Sequence, residues 1–355
     1  MIWSLNILCL LFSIFTFIGN YMSSGVTQDQ TSTRPNTLFD DADDIQRQLD
    51  NEARDRIQFG QPKTIWVFHL PSQFPEISTE ALSRNPKRRT KSKTSHKLKF
   101  SPATKDWQYT GQSNWSAIYP ECGAQSQSPI DLPTQGLVKA RAGRQLVFSN
   151  YDAMPDNLNL RDDGRRLTVY GSWKPGHRPL IYGGAAHSRR YLFHSLTLHW
   201  PSEHFVEGFQ YPMESQLIHI SAEYKNLAEA IKASQRDPLA ILGISNLYMY
   251  GNRTQSCLKE LLKLNAEGGF GVKSLTRRPL SDFSPPFKEY VTYQGSLTVP
   301  PCTESVLWMV RARSLTITRA TGKMANDLLA PDGEPRRNLI RHPQPRNDRR
   351  IFFFT

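Results

Sequence analysis

The sequence has little cysteine, no internal repeat and fewer acidic than basic residues. Four cysteines occur in 355 residues. If Cys9 is removed with an N-terminal signal, the remaining three cannot all pair within the chain, so an oxidising compartment leaves one thiol unpaired. The length of 355 residues is enough for one large domain with its own core, or for two small ones. The charge balance, 44 Lys and Arg against 32 Asp and Glu, is compatible with glycan, nucleic acid, membrane or acidic protein partners, and the compartment decides among these.

The N-terminal segment indicates the compartment. Residues 2–19 are almost uninterruptedly apolar, and small residues follow at 23–25. This pattern predicts a signal peptide at 1–25 and a secreted protein that meets no nucleic acid. No Lys or Arg precedes the apolar stretch, and its length is near the lower limit for a membrane span, so an uncleaved N-terminal anchor is the alternative. In a secreted chain the sequons at Asn114 and Asn252 are glycan acceptors.

Residues 26–104 have the composition of a flexible extension. An acidic piece, DDADD at 40–44, is followed by a basic tract at 84–99 in which eight of sixteen residues are Lys or Arg. A segment so rich in one charge and so poor in apolar residues stays solvated. We interpret it as a linker. The alternatives are a docking site for sulfated glycans or an acidic partner, or a protease processing site.

From residue 107 onward the residue pattern is typical of a β-rich globular domain. Short runs of β-branched and aromatic residues alternate with Gly, Pro, Asn and Asp, which predicts mostly antiparallel strands. The predicted strands are 145–148, 166–170, 191–200, 216–220, 239–249, 290–293 and 306–310. Two helices are predicted at 226–234 and 257–264. The fold class is therefore mainly β (α+β), with short peripheral helices.

Seven short motifs then occur in a recognisable order and spacing. They are SQSPID at 126–131, GG at 183–184, LHW at 198–200, SEH at 202–204, QLIH at 216–219, LAILG at 239–243 and GSLTVPPCT at 295–303. Together they resemble the α-carbonic anhydrase family, over a domain that we place at 105–352. The resemblance implies one large, twisted, mainly antiparallel sheet of about ten strands, with a cleft on one face.

In that family three histidines hold a zinc ion, two of them as His-x-His on one strand. Residues i and i+2 project from the same face of a strand, so they can converge on one ion. Here the three ligand positions are Thr197, His199 and Gln216, and only His199 is retained. Neutral hydroxyl and amide oxygens are weak donors for zinc. We therefore expect no metal and no cofactor; zinc belongs to the alternative of an active enzyme.

The neighbouring histidines do not restore the set on a regular strand. His194 lies five residues before His199, and His219 lies three after Gln216. Both separations are odd, so both side chains are expected to face away from the site. The resemblance implies a structural hydrogen bond for His204. A bulge that breaks the register would change this expectation.

Other site positions are partly retained. The resemblance implies that Thr298 is the hydroxyl that orients a zinc-bound hydroxide and that Glu203 accepts from it. Arg165 stands at the proton-shuttle position, where an arginine cannot relay protons because it stays charged. We regard all three as vestigial. The apolar pocket positions are retained as Ile218, Ile241, Leu297, Val306 and Trp308, although each could equally be ordinary core.

The ligand pattern Thr-Leu-His with Gln-Leu-Ile-His resembles one branch, the carbonic anhydrase-related proteins X and XI. That branch consists of secreted, acatalytic glycoproteins that bind neurexin-type receptors, and residues 341–351 resemble its C-terminus. It implies a disulfide between Cys122 and Cys302. Cys257 is then left over, either as a free buried thiol or as a bridge to another chain. Two departures are the short loop between His199 and Glu203 and the N-terminal extension.

Three functional hypotheses follow from these observations. The first is an acatalytic extracellular module that binds a cell-surface protein of the neurexin type. The second is a working zinc carbonate dehydratase with an altered site, which needs two further ligands. The third is a pocket for a small anion, lined by Arg165 and His199.

Overall fold

The computed structural model of the chain describes residues 107–328, 333 and 335–355. The predicted signal at 1–25, the extension at 26–104 and its basic tract at 84–99 lie outside these residues, so the expectations for them stay predictions. Within the described ranges, no helix is both long and apolar enough to cross a membrane.

Sixteen strands form within the described residues. They are β1 (Asp131–Leu132), β2 (Val138–Ala140), β3 (Val147–Ser149), β4 (Asn157–Asp162), β5 (Leu167–Ser172), β6 (Leu180–Tyr182), β7 (Tyr191–His199), β8 (Phe205–Val206), β9 (Phe209–Gln210), β10 (Met213–Ser221), β11 (Ile241–Tyr250), β12 (Gly271–Ser274), β13 (Tyr290–Gly295), β14 (Val306–Arg311), β15 (Leu315–Ile317) and β16 (Phe352–Phe354). The α-helices are α1 (Trp115–Ile118), α2 (Leu227–Ala233), α3 (Ser256–Gly268) and α4 (Arg319–Asn326).

One sheet of thirteen strands dominates the fold. Its main order is β12-β4-β5-β7-β10-β11-β14-β13-β16-β2, while β1, β8 and β9 form a small separate sheet. Most pairs are antiparallel, but β11 pairs in parallel with β14 and β15, and β16 with β2. The expected mainly β class is confirmed. The main path has the ten strands expected, and the three additional strands, β3, β6 and β15, are short and pair off this path beside β7 and β11.

The central strands are buried on both faces. In β11, Leu242 and Ile244 pack into one apolar cluster, whereas Ile241 and Leu247 pack into a second cluster on the opposite face. This division follows from the two-residue period of a strand. The first cluster includes residues of α3, which covers that face. The second face carries the cleft.

Gly243 explains how the floor of the cleft is packed. It lies opposite Trp308 in the parallel pair of β11 and β14. A Cβ atom at this position would lie 2.6 Å from the Trp308 ring, which is fully buried. Glycine is therefore required here because the indole packs directly on the backbone.

Helix α2 begins after an asparagine cap, within the helical stretch predicted at 226–234. The Asn226 side chain accepts a hydrogen bond from the Glu229 N–H at 3.0 Å, and the Glu229 carboxylate accepts from the Lys225 N–H at 3.1 Å. The first contact satisfies an N–H group that the first turn of a helix leaves without a partner, and the second ties the residue before the cap to the helix. The helix packs beside β10, where Leu227 and Ile231 join the second cluster.

The disulfide between Cys122 and Cys302 is present, which confirms the expected pairing. It joins the segment before the first strand to the loop that follows β13 and carries Thr298. Cys257 is free and buried, and its thiol donates to the Asp282 carbonyl at 3.2 Å. Burial raises the pKa of this thiol to about 12, so it stays protonated and unreactive at neutral pH.

Replacing both Cys122 and Cys302 by Ser should destabilise the domain. The bridge joins residues 180 positions apart, and loss of a native disulfide typically costs about 2–5 kcal/mol. Urea unfolding followed by tryptophan fluorescence measures the change. Wild-type protein unfolded with a reductant is the matched control: it should lose the same free energy, whereas the double variant should not respond to the reductant. Equal stability of oxidised wild type and double variant would contradict the prediction.

Candidate functional site

The three ligand positions lie where the sheet brings β7 and β10 together. Thr197 and Gln216 are directly opposite each other, and His199 lies two residues further along β7. All three line a cavity of about 910 Å³. The strands thus place these residues as the resemblance implies, although two of the three side chains are not imidazoles.

Gln216 is held by hydrogen bonds to two buried carboxylates. Its Nε2 donates to Glu203 Oε2 at 2.9 Å and to Glu214 Oε1 at 3.0 Å. Its Oε1 accepts from the Thr298 hydroxyl at 3.2 Å. Both carboxylates are fully buried, and an unpaired buried acceptor would be costly. The amide therefore links the two acidic groups and satisfies both.

Glu203 has a second set of partners. Its Oε1 accepts from the backbone N–H of Arg341 at 2.8 Å and lies 3.3 Å from His199 Nδ1. The resemblance implied that the Thr298 hydroxyl donates to Glu203. In the structure it donates to Gln216 instead. The reason is that the glutamine amide lies between the two groups and presents its oxygen to the hydroxyl.

Glu214 anchors the loop that follows β7. Its Oε2 accepts from the backbone N–H groups of Glu203 and His204 at 2.8 and 2.9 Å, and its Oε1 lies 2.7 Å from His204 Nδ1. Burial raises the pKa of this carboxyl, but the charge and hydrogen bonds of His204 outweigh burial and hold it at about 2. Glu214 is thus ionised at neutral pH.

His204 and His219 have structural surroundings. His204 Nε2 lies 2.7 Å from the Tyr293 hydroxyl. His219 Nε2 lies 2.8 Å from the Tyr151 hydroxyl, and burial lowers the pKa of His219 to about 3. His219 is packed in the interior and does not line the cavity.

His194 differs from the expectation. The register between β7 and β10 shifts at Ile218 and His219, which pair with Ser195 and Phe193 and leave His194 without an opposite residue. An extra residue of this kind is a β-bulge. It brings His194 to the cavity wall, where Nδ1 lies 2.9 Å from the Ser195 hydroxyl. The expectation that His194 faces away was therefore wrong, because it assumed an unbroken two-residue period.

The loop between His199 and Glu203 is closed onto β8 and β9. The Ser202 hydroxyl donates to the His204 carbonyl at 2.7 Å and accepts from the Tyr211 N–H at 2.9 Å. These contacts fix the short loop.

The predicted pocket residues divide into two groups. Ile218, Leu297 and Trp308 line the cavity. Ile241 and Val306 are opposite each other, fully buried in the second cluster and absent from the lining. Their expected place in the pocket was wrong, because the Trp308 ring on Gly243 forms the wall at this end of the sheet.

The shuttle position also differs from the expectation. The Arg165 guanidinium lies over the Trp107 ring, 5.0 Å from its centre, whereas the neighbouring Arg166 lines the cavity. The turn that precedes them is fixed by Asp163, whose Oδ1 accepts from the N–H groups of both arginines at 3.0 and 2.7 Å. Arg165 therefore does not line the pocket with His199, as the third hypothesis assumed.

Arg161 and Arg178 are among the cavity residues that the sequence analysis did not identify. Arg161 lies on β4, and the alternating sequence NLNLRD at 157–162 was a usable signal for this strand. Arg178 lies on an irregular segment before β6, and no pattern in the sequence places it. The two sequons are also located by the structure: Asn114 and Asn252 are both exposed.

Comparison with known proteins agrees with this geometry. The profile of the eukaryotic-type carbonic anhydrase family matches residues 110–355. Carbonic anhydrase 1 of Mus musculus is 32% identical over 70% of this chain and 98% of its own length. Carbonic anhydrase 3 of Homo sapiens is 29% identical over 69% of this chain and 96% of its own length. Carbonic anhydrase 6 of Mus musculus is 28% identical over 70% of this chain and 80% of its own length. The chain belongs to the eukaryotic-type carbonic anhydrase family.

Proposed function

We propose that this chain is an acatalytic member of the family, secreted, and that it acts as an extracellular protein-binding module. The observation that carries the loss of catalysis is the Gln216 amide. It stands at the third ligand position and joins Glu203 to Glu214 by two hydrogen bonds.

The residues at the ligand positions do not fit zinc. An open catalytic zinc site takes three strong protein donors and one water. Both N–H groups of Gln216 are used by carboxylates, its oxygen accepts from Thr298, and Thr197 offers a neutral hydroxyl. His199 is then the single imidazole at the three positions. Such a set cannot lower the pKa of a bound water toward neutrality, which CO₂ hydration requires.

The alternative of an active carbonate dehydratase needs two further ligands. The bulge at His194 supplies an imidazole to the cavity wall. In the described part of the chain, however, no group of three or more His, Cys, Asp or Glu side chains is arranged to hold a metal ion. The alternative is therefore less well supported than the acatalytic proposal.

Thr197→His together with Gln216→His should restore zinc binding. The two positions face each other across β7 and β10 beside His199, so the variant recreates a three-imidazole set. We expect negligible zinc in wild-type protein and about one ion per chain in the double variant. Elemental analysis of protein dialysed against zinc measures this, and stopped-flow CO₂ hydration measures any activity gained.

The single variants Thr197→His and Gln216→His are the matched controls, and each should bind zinc weakly because two imidazoles do not complete the set. Stoichiometric zinc and hydratase activity in the wild-type protein would overturn the acatalytic proposal.

Secretion is supported by three independent features. They are the apolar segment at 2–19, the Cys122–Cys302 disulfide and the exposed sequon residues Asn114 and Asn252. Disulfides persist in the secretory pathway, which is also where sequons are glycosylated.

When the full chain is expressed in animal cells, the protein should be recovered from the medium with a mass that falls on N-glycosidase treatment. Asn114→Gln and Asn252→Gln should each reduce this loss of mass by one glycan, and the mass of the double variant should not change on treatment. Quantitative retention in the cell membrane, with the apolar segment uncleaved, would instead support the anchored alternative. Electrophoresis of medium and membrane fractions separates the two outcomes.

The proposed partner is a cell-surface protein of the neurexin type. It is supported by the resemblance of the ligand positions and of residues 341–351 to the acatalytic branch. The latter segment contacts the site itself, since the Arg341 N–H donates to Glu203 and the Arg341 guanidinium donates to the Ser128 carbonyl at 2.7 Å. A sulfated glycan on the basic tract at 84–99 is a second proposed partner.

We expect immobilised neurexin ectodomain to capture the full chain and also a chain that lacks residues 26–104. Heparin should capture only the full chain, because the basic tract lies in the deleted segment. Binding is measured by surface plasmon resonance. Failure of both chains to bind the ectodomain would contradict the neurexin proposal, and equal heparin binding by both would contradict the glycan proposal.

A further inference from the structure

The cleft is positively charged, and its charge comes from residues outside the predicted ligand positions. Its lining includes three arginines, Arg161, Arg166 and Arg178, and a single carboxylate, Asp163. Asp163 is paired with Arg166, whose Nη2 lies 3.4 Å from its Oδ2, and it also accepts from backbone N–H groups. Arg161 and Arg178 are thus two cationic side chains of the cleft that face no carboxylate among the described lining residues.

Arg161 lies in line with the former ligand positions. It is opposite Thr168, Thr168 is opposite Thr197, and Thr197 is opposite Gln216. Directly opposite residues share one face of a sheet. Neighbouring strands are about 4.8 Å apart, so Arg161 is roughly 10 Å from Thr197 across the cavity face, within reach of a shared ligand. Arg161 is exposed, and no hydrogen bond or ion pair joins its guanidinium to the described part of the chain.

Arg178 and His194 form a second basic group beside this row. The Arg178 Nε donates to the Phe193 carbonyl at 2.7 Å, which fixes the guanidinium next to the bulge. Its Nη atoms have no acceptor in the described residues. Burial lowers the pKa of Arg178, and burial together with Arg178 lowers the pKa of His194. A half-buried guanidinium with free donors is stabilised when an oxyanion accepts from it.

The opposite wall of the cleft is apolar. It is formed by Leu227 and Ile231 of α2, by Ile218 and Trp308 of the sheet, and by the loop 297–301. A cavity of about 910 Å³ lies in the range that holds small organic ligands, which typically combine apolar contacts with a few polar anchors. The two walls therefore suit a molecule with an apolar body and a charged head.

We propose that the cleft binds a small organic anion, with its carboxylate, sulfate or sulfonate head between Arg161, Arg178 and His194 and its apolar body against α2 and Trp308. The guanidinium fork donates two parallel hydrogen bonds to such a head, which gives orientation as well as affinity. The inference deepens the proposed function and rests on it, because a zinc ion at His199 would itself be the anion site.

The test compares two probes with the same body, naphthalene-2-sulfonate and its uncharged isostere naphthalene-2-sulfonamide. Both are titrated into the full chain by isothermal calorimetry at low salt, and the zinc content of the same sample is measured. The sulfonate should bind at least about tenfold more tightly than the sulfonamide, since hydrogen bonds to charged groups exceed neutral ones by that order. Inorganic sulfate should compete with it.

Arg161→Gln and Arg178→Gln should each weaken sulfonate binding about tenfold and leave sulfonamide binding unchanged. Arg313→Gln is the matched control, because it removes the same charge from an exposed arginine that pairs with Glu289 and does not line the cleft. Arg161 has no described partner, so its replacement tests the site even where Arg178→Gln impairs folding. Unfolding curves monitor the fold of each variant.

Each remaining outcome is decisive. If zinc-free protein binds neither probe, or if Arg313→Gln weakens binding as much as the cleft variants, the anion site is refuted and the acatalytic proposal stands. If the protein contains stoichiometric zinc and prefers the sulfonamide, the acatalytic proposal fails and the anion site fails with it.

Discussion

The centre of this domain depends on how three buried polar side chains satisfy one another. Glu203 and Glu214 are fully buried, and Gln216 donates one amide hydrogen to each. Burying two carboxylates away from water costs free energy unless their oxygens accept hydrogen bonds. The amide donates a hydrogen bond to each acid, as a cationic side chain could, but it adds no charge to the site. The amide of Gln216 therefore stabilises both buried acids in the folded domain.

The same interaction fixes neighbouring parts of the chain. Glu214 accepts from the backbone at 203 and 204 and so holds the short loop after β7, while Glu203 accepts from Arg341 near the C-terminus. The loop after β13, tied to the start of the domain by the Cys122–Cys302 disulfide, reaches the site through Thr298 and Gln216. Segments far apart in sequence thus meet at one polar centre, which makes their positions interdependent.

The cleft above this centre has an apolar wall and a polar wall that carries arginines. The strands place Thr197, His199 and Gln216 where the family places its ligands, and the apolar wall at Ile218 and Trp308 is retained. The polar wall carries Arg161 and Arg178, which face no carboxylate among the described lining residues, and Arg166, which pairs with Asp163. A divalent cation at the base of the cleft would repel them, whereas a cleft without one leaves them available for an oxyanion.

The sequence by itself determined the family, the mainly β class and the central strands. The motifs are local, and the alternation of β7, β10 and β11 is strong because these strands are buried on both faces. The resemblance also implied the ligand positions Thr197, His199 and Gln216, which the structure places side by side on β7 and β10. The pairing of Cys122 with Cys302 followed from the resemblance.

Only the tertiary structure decided which side chains line the cleft. The bulge at His194 depends on the register between β7 and β10, a long-range property that the two-residue period cannot reveal. Ile241 and Val306 were expected to line the pocket but are buried in the core cluster that also contains Trp308. Their burial depends on how β11 packs beside β14. Arg161 and Arg178 come from a strand and an irregular segment that are distant in sequence from the ligands. Their convergence is set by sheet order, which local sequence does not encode.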